Sequence, residues 1–401
     1  MKPSGIEWIG DIPDDWEVRR GKYTLDLLMR PIRDNDEIIT CFRDGQVTRR
    51  SNRREDGFTF ADKEIGYQGI LKGDLVIHGM DGFAGAIGIS DSDGKGSPVL
   101  NVCRPKNGSD TRYINYYLRT LALQNVFIAL STGIRERSCD LRWKKIAELL
   151  FTIPPLKTQQ KIADYLDEKC GEIDATIAKQ KESIEKLKAY KQSLISETVT
   201  KGLDKSAPLK PSGIKWLGEI PQNARIIRLR FLSSIQTGDK DTANRVENGK
   251  YPFYVRSPIV ERIDTFSFDG EAILMAGDGV GAGKVFHYVN GKFDYHQRVY
   301  NIHNLKGVLG KFLYYYLREN FYKEIEQSNA KSTVDSIRLP MLLDFPIIVY
   351  PYDLQKEIVS FLDKKVAEID AIIIKKQNII QKLDAYKKSL IFECVTGKQK
   401  I

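Results

Sequence analysis

The sequence predicts an α+β protein in which one module, a mixed α/β globular domain followed by a long helix, occurs twice. Three observations predict this fold class: two segments of the 401-residue chain recur in order, each copy ends in a helical stripe of apolar residues, and β-rich runs with Asp-Gly turn signals lie in between. We expect the two helices to pair as an antiparallel coiled coil. The two copies would then have a pseudo-two-fold arrangement, like a circle cut open once.

The repeat is visible at both ends of the module. KPSGIEWIGDIP at 2–13 returns as KPSGIKWLGEIP at 210–221, and residues 162–200 return as 358–396 with 22 of 39 positions identical. Convergence on a helical pattern would not reproduce EIDA, AYK and SLI in the same order, so the repeat indicates duplication. Between these echoes the copies diverge, although GDLVIHGMDG from Gly73 aligns with GEAILMAGDG from Gly270, and YYLR at Tyr116 with YYLR at Tyr315.

The repeat boundaries divide the chain into four segments. These are the first globular domain at 1–155, the first helix at 156–202, the second globular domain at 203–350 with a linker at 201–210, and the second helix at 351–401. Divergent loops on a similar scaffold are expected when two copies recognise different things.

Each predicted helix carries a heptad seam, in which apolar residues recur at spacings of four and three over about five heptads. An unpaired helix would leave this stripe in water. The alternative is that each helix packs on its own domain, but the matched lengths and the short linker, which reaches roughly 33 Å, favour an antiparallel pair. The predicted seam consists of Leu166, Ile173, Ile177, Ile184, Leu187, Leu194, Leu362, Ile369, Ile373, Ile380, Leu383 and Leu390.

Composition narrows the possible environments and partners. The net charge of +9 favours a polyanionic partner. No stretch approaches the roughly 18 apolar residues of a membrane span, and the N-terminus lacks the order of a signal peptide, so we expect a cytoplasmic protein. The five cysteines form no CxxC pair and the four histidines have no metal-ligand spacing, so we expect buried or incidental thiols and no metal site.

The alternation of variable domains with similar helices, the KPSGIEWIGDIP-like openings, the PPLKTQQKIADYLD run and SLISETVTKG resemble the specificity subunit of type I restriction-modification systems, over essentially the whole chain. The resemblance implies two target-recognition domains, each reading one half of a bipartite, asymmetric site in double-stranded DNA. It also implies that the helices set the spacer and dock two methyltransferase subunits. Motor-nuclease subunits would join through the complex.

In such a complex the partners do the chemistry, so S-adenosylmethionine, ATP and Mg²⁺ are expected on them and no cofactor on this chain. One departure affects the helix starts. The second helix begins with YDLQKEIVSFLD, which lacks the PPL-TQQ motif at the start of the first helix. The sequence therefore leaves open whether the two helix starts are equivalent.

The sequence lacks the motifs of the catalytic partners. An amino-methylating enzyme needs an Asn before its Pro-Pro-aromatic motif, whereas Ile153 precedes Pro154 and Pro155. GDGVGAGK at 277–284 departs from the phosphate-loop spacing, because Asp278 stands at the first Gly position and Val285 follows the Lys. It aligns with the Asp-Gly turn of the first copy and is expected between strands, without a helix N-terminus for a phosphate.

Reading DNA requires Arg for guanine, Asn or Gln for adenine, and Lys or Arg for phosphates. The densest candidate is RDGQVTRRSNRRE at 43–55, predicted as a loop; a merely solvated charged loop is the alternative. The predicted DNA-binding residues of the first domain are Arg43, Gln46, Arg49, Arg50, Asn52, Arg53, Arg54, Arg135 and Arg137. Those of the second domain are Lys240, Asn244, Arg245, Tyr254, Arg256, His296, Gln297, Arg298, Asn329 and Lys331.

Two other functions stay open on the sequence alone. A coiled-coil scaffold whose divergent domains bind proteins would show no sequence preference on DNA, although the positive charge and the Arg-rich segments argue against it. An enzyme with an unfamiliar site would act without partner subunits.

Overall fold

The computed structural model describes residues 1–53, 65–129, 141–328 and 336–401, which fall into two compact units. The first unit joins Met1–Gln180 to Gln377–Ile401, and the second is Lys181–Lys376. Each unit therefore contains one globular domain and a part of both long helices. The unit boundaries lie within the long helices, because each domain packs on both helices.

The first domain is a set of short antiparallel strands packed on a central helix. Its sheet has the order β4-β11-β8-β9, β5 and β6 form a hairpin, and β12 returns to pair with β3. The strands are β1 (Lys2–Pro3), β2 (Asp11–Ile12), β3 (Glu17–Arg20), β4 (Leu25–Leu27), β5 (Ile39–Cys41), β6 (Val47–Arg49), β7 (Gln68–Ile70), β8 (Leu75–His78), β9 (Ile87–Ile89), β10 (Gly94–Gly96), β11 (Leu100–Pro105) and β12 (Leu150–Ile153). The helices are α1 (Gly21–Thr24), α2 (Thr111–Leu123), α3 (Val126–Ala129) and α4 (Trp143–Glu148).

The second domain follows the long helix α5 (Leu156–Lys201) and shares with the first an opening pair of short strands and a helix that follows the sheet. Its strands are β13 (Leu209–Pro211), β14 (Glu219–Pro221), β15 (Arg225–Arg228), β16 (Ser234–Thr237), β17 (Tyr251–Tyr254), β18 (Glu261–Ile263), β19 (Phe268–Ala276), β20 (Phe286–Tyr295), β21 (Val299–His303) and β22 (Pro346–Val349). Its helices are α6 (Gly310–Ser328) and α7 (Leu339–Leu343), and the long helix α8 (Tyr352–Val395) comes last. The sheet order is β16-β21-β19-β20-β17-β18, and β22 returns to β15 as β12 does to β3. The predicted fold class, with a mixed domain and a long helix each present twice, is confirmed.

The two Asp-Gly segments lie between strands in both domains, as predicted: β8 and β9 flank the first, and β19 and β20 flank the second. The connections are longer than a two-residue hairpin turn. The loop prediction for the Arg-rich segment was wrong at Val47–Arg49, which form β6 paired with β5. Burial of Val47 and Thr48 explains the strand, because these two residues hold the segment on the domain despite the arginines around them.

The helices α5 and α8 run antiparallel within each unit. In the first unit, Gln399 at the end of the chain donates to the Tyr165 hydroxyl at 3.3 Å, and Lys387 Nζ lies 2.6 Å from Asp174 Oδ2. In the second unit, Lys191 Nζ lies 2.6 Å from Asp370 Oδ1. At the repeat offset of 196 residues, Asp370 corresponds to Asp174 and Lys387 to Lys191, so one ion pair is formed twice.

The apolar seam is covered along both helices. In the first unit the residues of α5 from Ile162 to Ile177 share a core with Leu390 and Val395 of α8. In the second unit Ile195 of α5 shares a core with Leu362 of α8. Each predicted seam residue is buried or half-buried, so burial of this stripe stabilises the helix pair.

One tyrosine and one aspartate attach each domain to its helix. The Tyr116 hydroxyl donates to Asp167 at 2.7 Å in the first unit, and the Tyr315 hydroxyl donates to Asp363 at 2.7 Å in the second. These tyrosines begin the two YYLR segments, and the aspartates correspond at the offset of 196 residues. The duplication therefore extends from the sequence to the contacts that orient the domains.

The starts of the two long helices are structurally equivalent, although their amino-acid sequences differ. Gln159 Oε1 accepts from the Asp110 amide at 2.9 Å, and its Nε2 donates to the Pro154 carbonyl at 2.8 Å. Gln355 makes the same bonds to the Leu309 amide at 2.7 Å and to the Tyr350 carbonyl at 2.8 Å. Both glutamines are buried. The question that the sequence left open is thus settled by a shared side chain.

We expect Gln159→Leu and Gln355→Leu each to destabilise its own unit by about 2 to 4 kcal/mol, because each leaves one buried N–H and one buried C=O without a partner. Urea unfolding measures the loss, and hydrogen exchange at the Asp110 and Leu309 amides assigns it to a unit. Gln160→Leu, an exposed neighbour, is the control and should change stability by less than about 0.5 kcal/mol. A large effect in only one copy would contradict the equivalence.

Candidate nucleic-acid interface

The Arg-rich segment of the first domain surrounds a cleft of about 700 Å³. Arg43, Arg50 and Arg53 line it together with Tyr67, His78 and Asp81. The β5–β6 hairpin positions this wall, because its register places the connection 42–46 beside the loop that follows β8. The structure therefore brings together three of the predicted arginines.

Three of the first domain's predicted arginines hold a carboxylate. Arg43 Nη2 donates to Asp81 Oδ1 at 2.9 Å, Arg49 Nη1 to Glu37 Oε1 at 2.8 Å, and Arg53 Nη1 to Asp44 Oδ1 at 3.0 Å. Each carboxylate orients the guanidinium group that it contacts.

The other polar side chains of the segment are tied to it locally. The Arg50 Nε donates to the Thr40 hydroxyl at 3.4 Å, and the Asn52 amide donates to the Thr48 hydroxyl at 2.9 Å. Gln46 Oε1 accepts from Arg53 at 3.4 Å. The predicted residues Arg54, Arg135, Arg137, Asn329 and Lys331 lie outside the described residues.

In the second domain two aspartates organise the predicted residues. Arg256 Nη1 donates to Asp278 Oδ1 at 3.1 Å, and Arg298 Nε lies 3.7 Å from the other oxygen of that carboxylate. Gln297 Nε2 donates to Asp241 Oδ2 at 3.3 Å. Both arginines are well exposed, so this domain presents a group of cations and an amide held by acids.

His296 and Tyr254 lie beneath this surface and support it. His296 is buried, and its Nδ1 accepts from the Arg298 amide at 2.9 Å. Burial, and then the charge of Arg256, lower the pKa of His296 below its usual value. Tyr254 is half-buried and packs on the rings of His287 and Phe293.

The remaining predicted residues of this domain lie near the same loop. Asn244 Oδ1 accepts from the Asp241 amide at 2.8 Å in a capping arrangement. Arg245 lies 3.7 Å from Glu261, and the backbone of Lys240 bridges to that of His296. Several DNA-binding residues predicted from the sequence of this domain therefore lie close to Asp241 or Asp278 in the structure.

The carboxylates that orient the arginines were missed by reasoning from the sequence. Asp81 and Asp278 stand at the same place in the two aligned Asp-Gly segments, and the sequence reading treated them only as turn signals. Their recurrence was the available signal. No local pattern marks Glu37, Asp44 or Asp241, because each meets its arginine or glutamine only through folding.

The cysteines, the groups that could bind a metal ion and the helices that could cross a membrane bear on functions other than DNA binding. Cys41, Cys103, Cys170 and Cys394 are buried and free, and burial raises the pKa of the Cys41 and Cys103 thiols to about 12. Cys139 lies outside the described residues. Among residues 1–53, 65–129, 141–328 and 336–401, no group of three His, Cys, Asp or Glu could hold a metal ion, and no helix is long and apolar enough to cross a membrane.

The Gly-rich segment 277–284 leads into the strand β20, as predicted, and not directly into a helix. In a phosphate loop the Gly-rich turn runs directly into a helix whose first amides bind the phosphate.

Known proteins match this architecture. The family model of the type I restriction modification DNA specificity domain matches residues 51–188 and 222–383, which is more than half of the chain. The chain belongs to this family. The family consists of DNA-recognition subunits that are not catalytic, and methylation and cleavage are left to partner subunits, as the sequence predicted.

Two curated relatives illustrate the range of similarity. The Escherichia coli type I restriction enzyme EcoDI specificity subunit is 29% identical over 182 residues, which is 45% of this chain and 40% of the relative. The chain thus matches less than half the length of that subunit. The putative type I restriction enzyme MjaX specificity subunit of Methanocaldococcus jannaschii is 22% identical over 98% of this chain and 96% of its own length.

Solved structures show the same fold. A chain from a study of complex assembly and conformational transition of the type I restriction-modification system has a TM-score of 0.75 at 15% identity, over 97% of this chain and 100% of its own. The HsdS subunit from Thermoanaerobacter tengcongensis has a TM-score of 0.53 at 14% identity, over 97% of this chain and 98% of its own.

We expect the double replacement Arg49→Ala and Arg50→Ala to weaken sequence discrimination in the part of the DNA site that the first domain reads, and to leave the rest unchanged. The reason is that base contacts carry sequence information and phosphate contacts do not. Competition binding with duplexes that differ at single base pairs measures the effect. Arg20→Ala removes an exposed arginine that pairs with Glu148 away from the cleft, and is the control. An equal loss on all sequences would identify phosphate contacts instead.

Proposed function

We propose that this chain is the DNA sequence-recognition subunit of a type I restriction-modification complex, with each domain reading one half of a bipartite, asymmetric site. The observation that carries the proposal is that two domains with the same order of central strands present different side chains at corresponding loops. Next to the Asp-Gly aspartate, the second domain has Arg298 where the first has Pro98, and asymmetry between half-sites follows from such differences.

The correspondence of Arg298 and Pro98 rests on strand register. Tyr300 pairs with Met275 in the second domain as Leu100 pairs with His78 in the first, and Met275 aligns with His78 in the repeat. Each of the two compared residues stands two positions before its strand residue. The change therefore alters a side chain at a fixed place on a common scaffold.

We assign the spacer between the half-sites to the helices. The α5 helix has 46 residues, which corresponds to a length of about 69 Å at 1.5 Å per residue. This is about two helical turns of B-DNA. A paired helix of this length is stiff enough to set a distance between two reading surfaces.

We further assign the docking of two methyltransferase subunits to the helices and the segments around them, because these are the elements that occur twice. Motor-nuclease subunits would join through that complex. The similarity to a chain from a type I assembly study supports these partners. S-adenosylmethionine, ATP and Mg²⁺ belong to the partners in this proposal, and the complex acts on host DNA in the cytoplasm.

Mapping the methylated bases in a host that expresses this chain with its methyltransferase tests the function directly. We expect methylation at one bipartite sequence with two dissimilar halves, and none at that sequence in a host without the chain. Methylation that is unaffected by the chain, or that has no sequence preference, would favour a protein scaffold and contradict the proposal.

Extending both helices by one heptad should change the spacer and leave the half-sites unchanged. Seven residues inserted after Gln180 and seven after Lys376 keep the seam in register and add roughly 10 Å. The methylated sequence of the extended variant gives the spacer. Insertion of five residues at each place is the control, since at 3.6 residues per turn it rotates the following part of the seam by about 140° away from its partner and should abolish methylation. Altered half-sites in the heptad variant would refute the role of the helices as a ruler.

A further inference from the structure

One contact between two loops is present in both domains, although the sequences of these loops differ. In each, the connection of a hairpin meets the loop that begins with the Asp-Gly aspartate: 42–46 between β5 and β6 in the first domain, and 255–260 between β17 and β18 in the second. Arg43 stands two residues after the end of β5, and Arg256 stands two residues after the end of β17. Both arginines therefore lie early in the connection between two hairpin strands.

A glycine holds the main chain of each arginine against the Asp-Gly loop. A Cβ on Gly85 would come within 2.5 Å of the Arg43 carbonyl oxygen, and a Cβ on Gly281 would come within 2.5 Å of the Arg256 carbonyl oxygen. Real Cβ atoms do not approach so closely, so glycine is required at both positions. In both domains a glycine of the Asp-Gly loop therefore lies against the main chain of the arginine, although Gly85 has a φ of +96° and stands four residues after Asp81, whereas Gly281 stands three residues after Asp278.

An aspartate holds the side chain of each arginine. Arg43 donates to Asp81 at 2.9 Å and Arg256 donates to Asp278 at 3.1 Å, and the two aspartates are the aligned ones of the repeat. The arginine side chains stay 67% and 45% exposed. Each guanidinium is therefore fixed in orientation while it faces solvent with unused donors.

A contribution to stability does not explain why both domains keep this Arg–Asp pair, because an exposed ion pair contributes only about 0 to 1 kcal/mol to the free energy of unfolding. Phosphate binding does not account for it either, since the carboxylate cancels the charge of the arginine and would repel a phosphate. A guanidinium whose fork is held in place suits two acceptors on a base edge, and guanine offers O6 and N7 in the major groove. Preorganisation of the fork reduces the entropy lost on binding.

The surroundings of the pair fit contact with base edges. Each Asp-Gly loop carries an exposed apolar side chain near the aspartate in sequence: Met80 directly precedes Asp81, and Val280 follows Asp278 by two residues. Apolar side chains contact the methyl group of thymine in the same groove. The two loops thus combine a held arginine with an apolar tip.

We propose that Arg43 and Arg256 each read a guanine, one in each half-site, and that Asp81 and Asp278 are the positioning residues that orient them. This proposal rests on the proposed function. An aspartate-held arginine in each domain gives each half-site one guanine, and the side chains that differ between the domains distinguish the rest of the two halves.

The test maps methylated sequences for the chain with its methyltransferase, comparing the wild type with Arg43→Ala, Asp81→Asn, Arg256→Ala and Asp278→Asn. We expect a guanine in each wild-type half-site. Arg43→Ala should lower discrimination at one of these guanines by roughly 10- to 100-fold, and Arg256→Ala should do so at the other. Each Asp→Asn variant should show a smaller loss at the same guanine, with all other positions unchanged.

Further variants and a salt series separate this role from others. Arg43→Lys keeps the charge without the fork, so it should not restore discrimination. Binding measured against salt should keep its slope in Arg43→Ala. A uniform loss over all sequences with a slope reduced by about one would mark a phosphate contact and overturn the proposal.

Other outcomes also decide the matter. A half-site without guanine, or an Asp81→Asn variant that loses preference at every position of its half-site together with thermal stability, would overturn the proposal and indicate a structural pair. These results leave the bipartite site itself intact. A wild-type chain that directs no sequence-specific methylation would instead contradict the proposed function.

Discussion

Burial of the apolar stripe on α5 and α8 is the constraint on which the rest of the structure depends. A helix of 46 residues with an apolar residue at every third or fourth position is stable in water only when another surface covers that stripe. In each unit the antiparallel partner helix and the domain together provide the cover. The ion pairs Asp174–Lys387 and Lys191–Asp370 are partly exposed and contribute little energy, so their part is to favour one register.

A few polar contacts between the helix pair and each domain determine how the loops are oriented. The Tyr116–Asp167 hydrogen bond and its counterpart Tyr315–Asp363 hold α2 and α6 on the helices, and Gln159 ties the helix start to the chain before α2. The sheets pack on α2 and α6, and the Asp-Gly loops extend from these sheets. A rigid scaffold of this kind lets loop sequences change while the positions of the reading side chains are retained.

The fold was largely predictable because its signals are local and repeated. The heptad seam and the Asp-Gly segments are read from neighbouring residues, and duplication displays each signal twice. The Arg-rich segment was less predictable: a strand at Val47–Arg49 depends on the burial of Val47 against residues far along the chain. The candidate site was named in part, since residue type alone points to arginines. Partners such as Asp81, which is 38 residues from Arg43, are brought together only by folding.

The sequence by itself determined that one module occurs twice, that each copy ends in a helix with a buried stripe, and which arginines and amides are candidates for DNA contact. Periodicity, composition and repetition are properties of the chain, so they need no coordinates. The tertiary structure decided the equivalence of the helix starts through Gln159 and Gln355, the burial of His296, and the seating of Arg43 and Arg256 on aspartates of the same loop. These are long-range contacts, and their physical basis is the burial and close approach of groups that the sequence keeps apart.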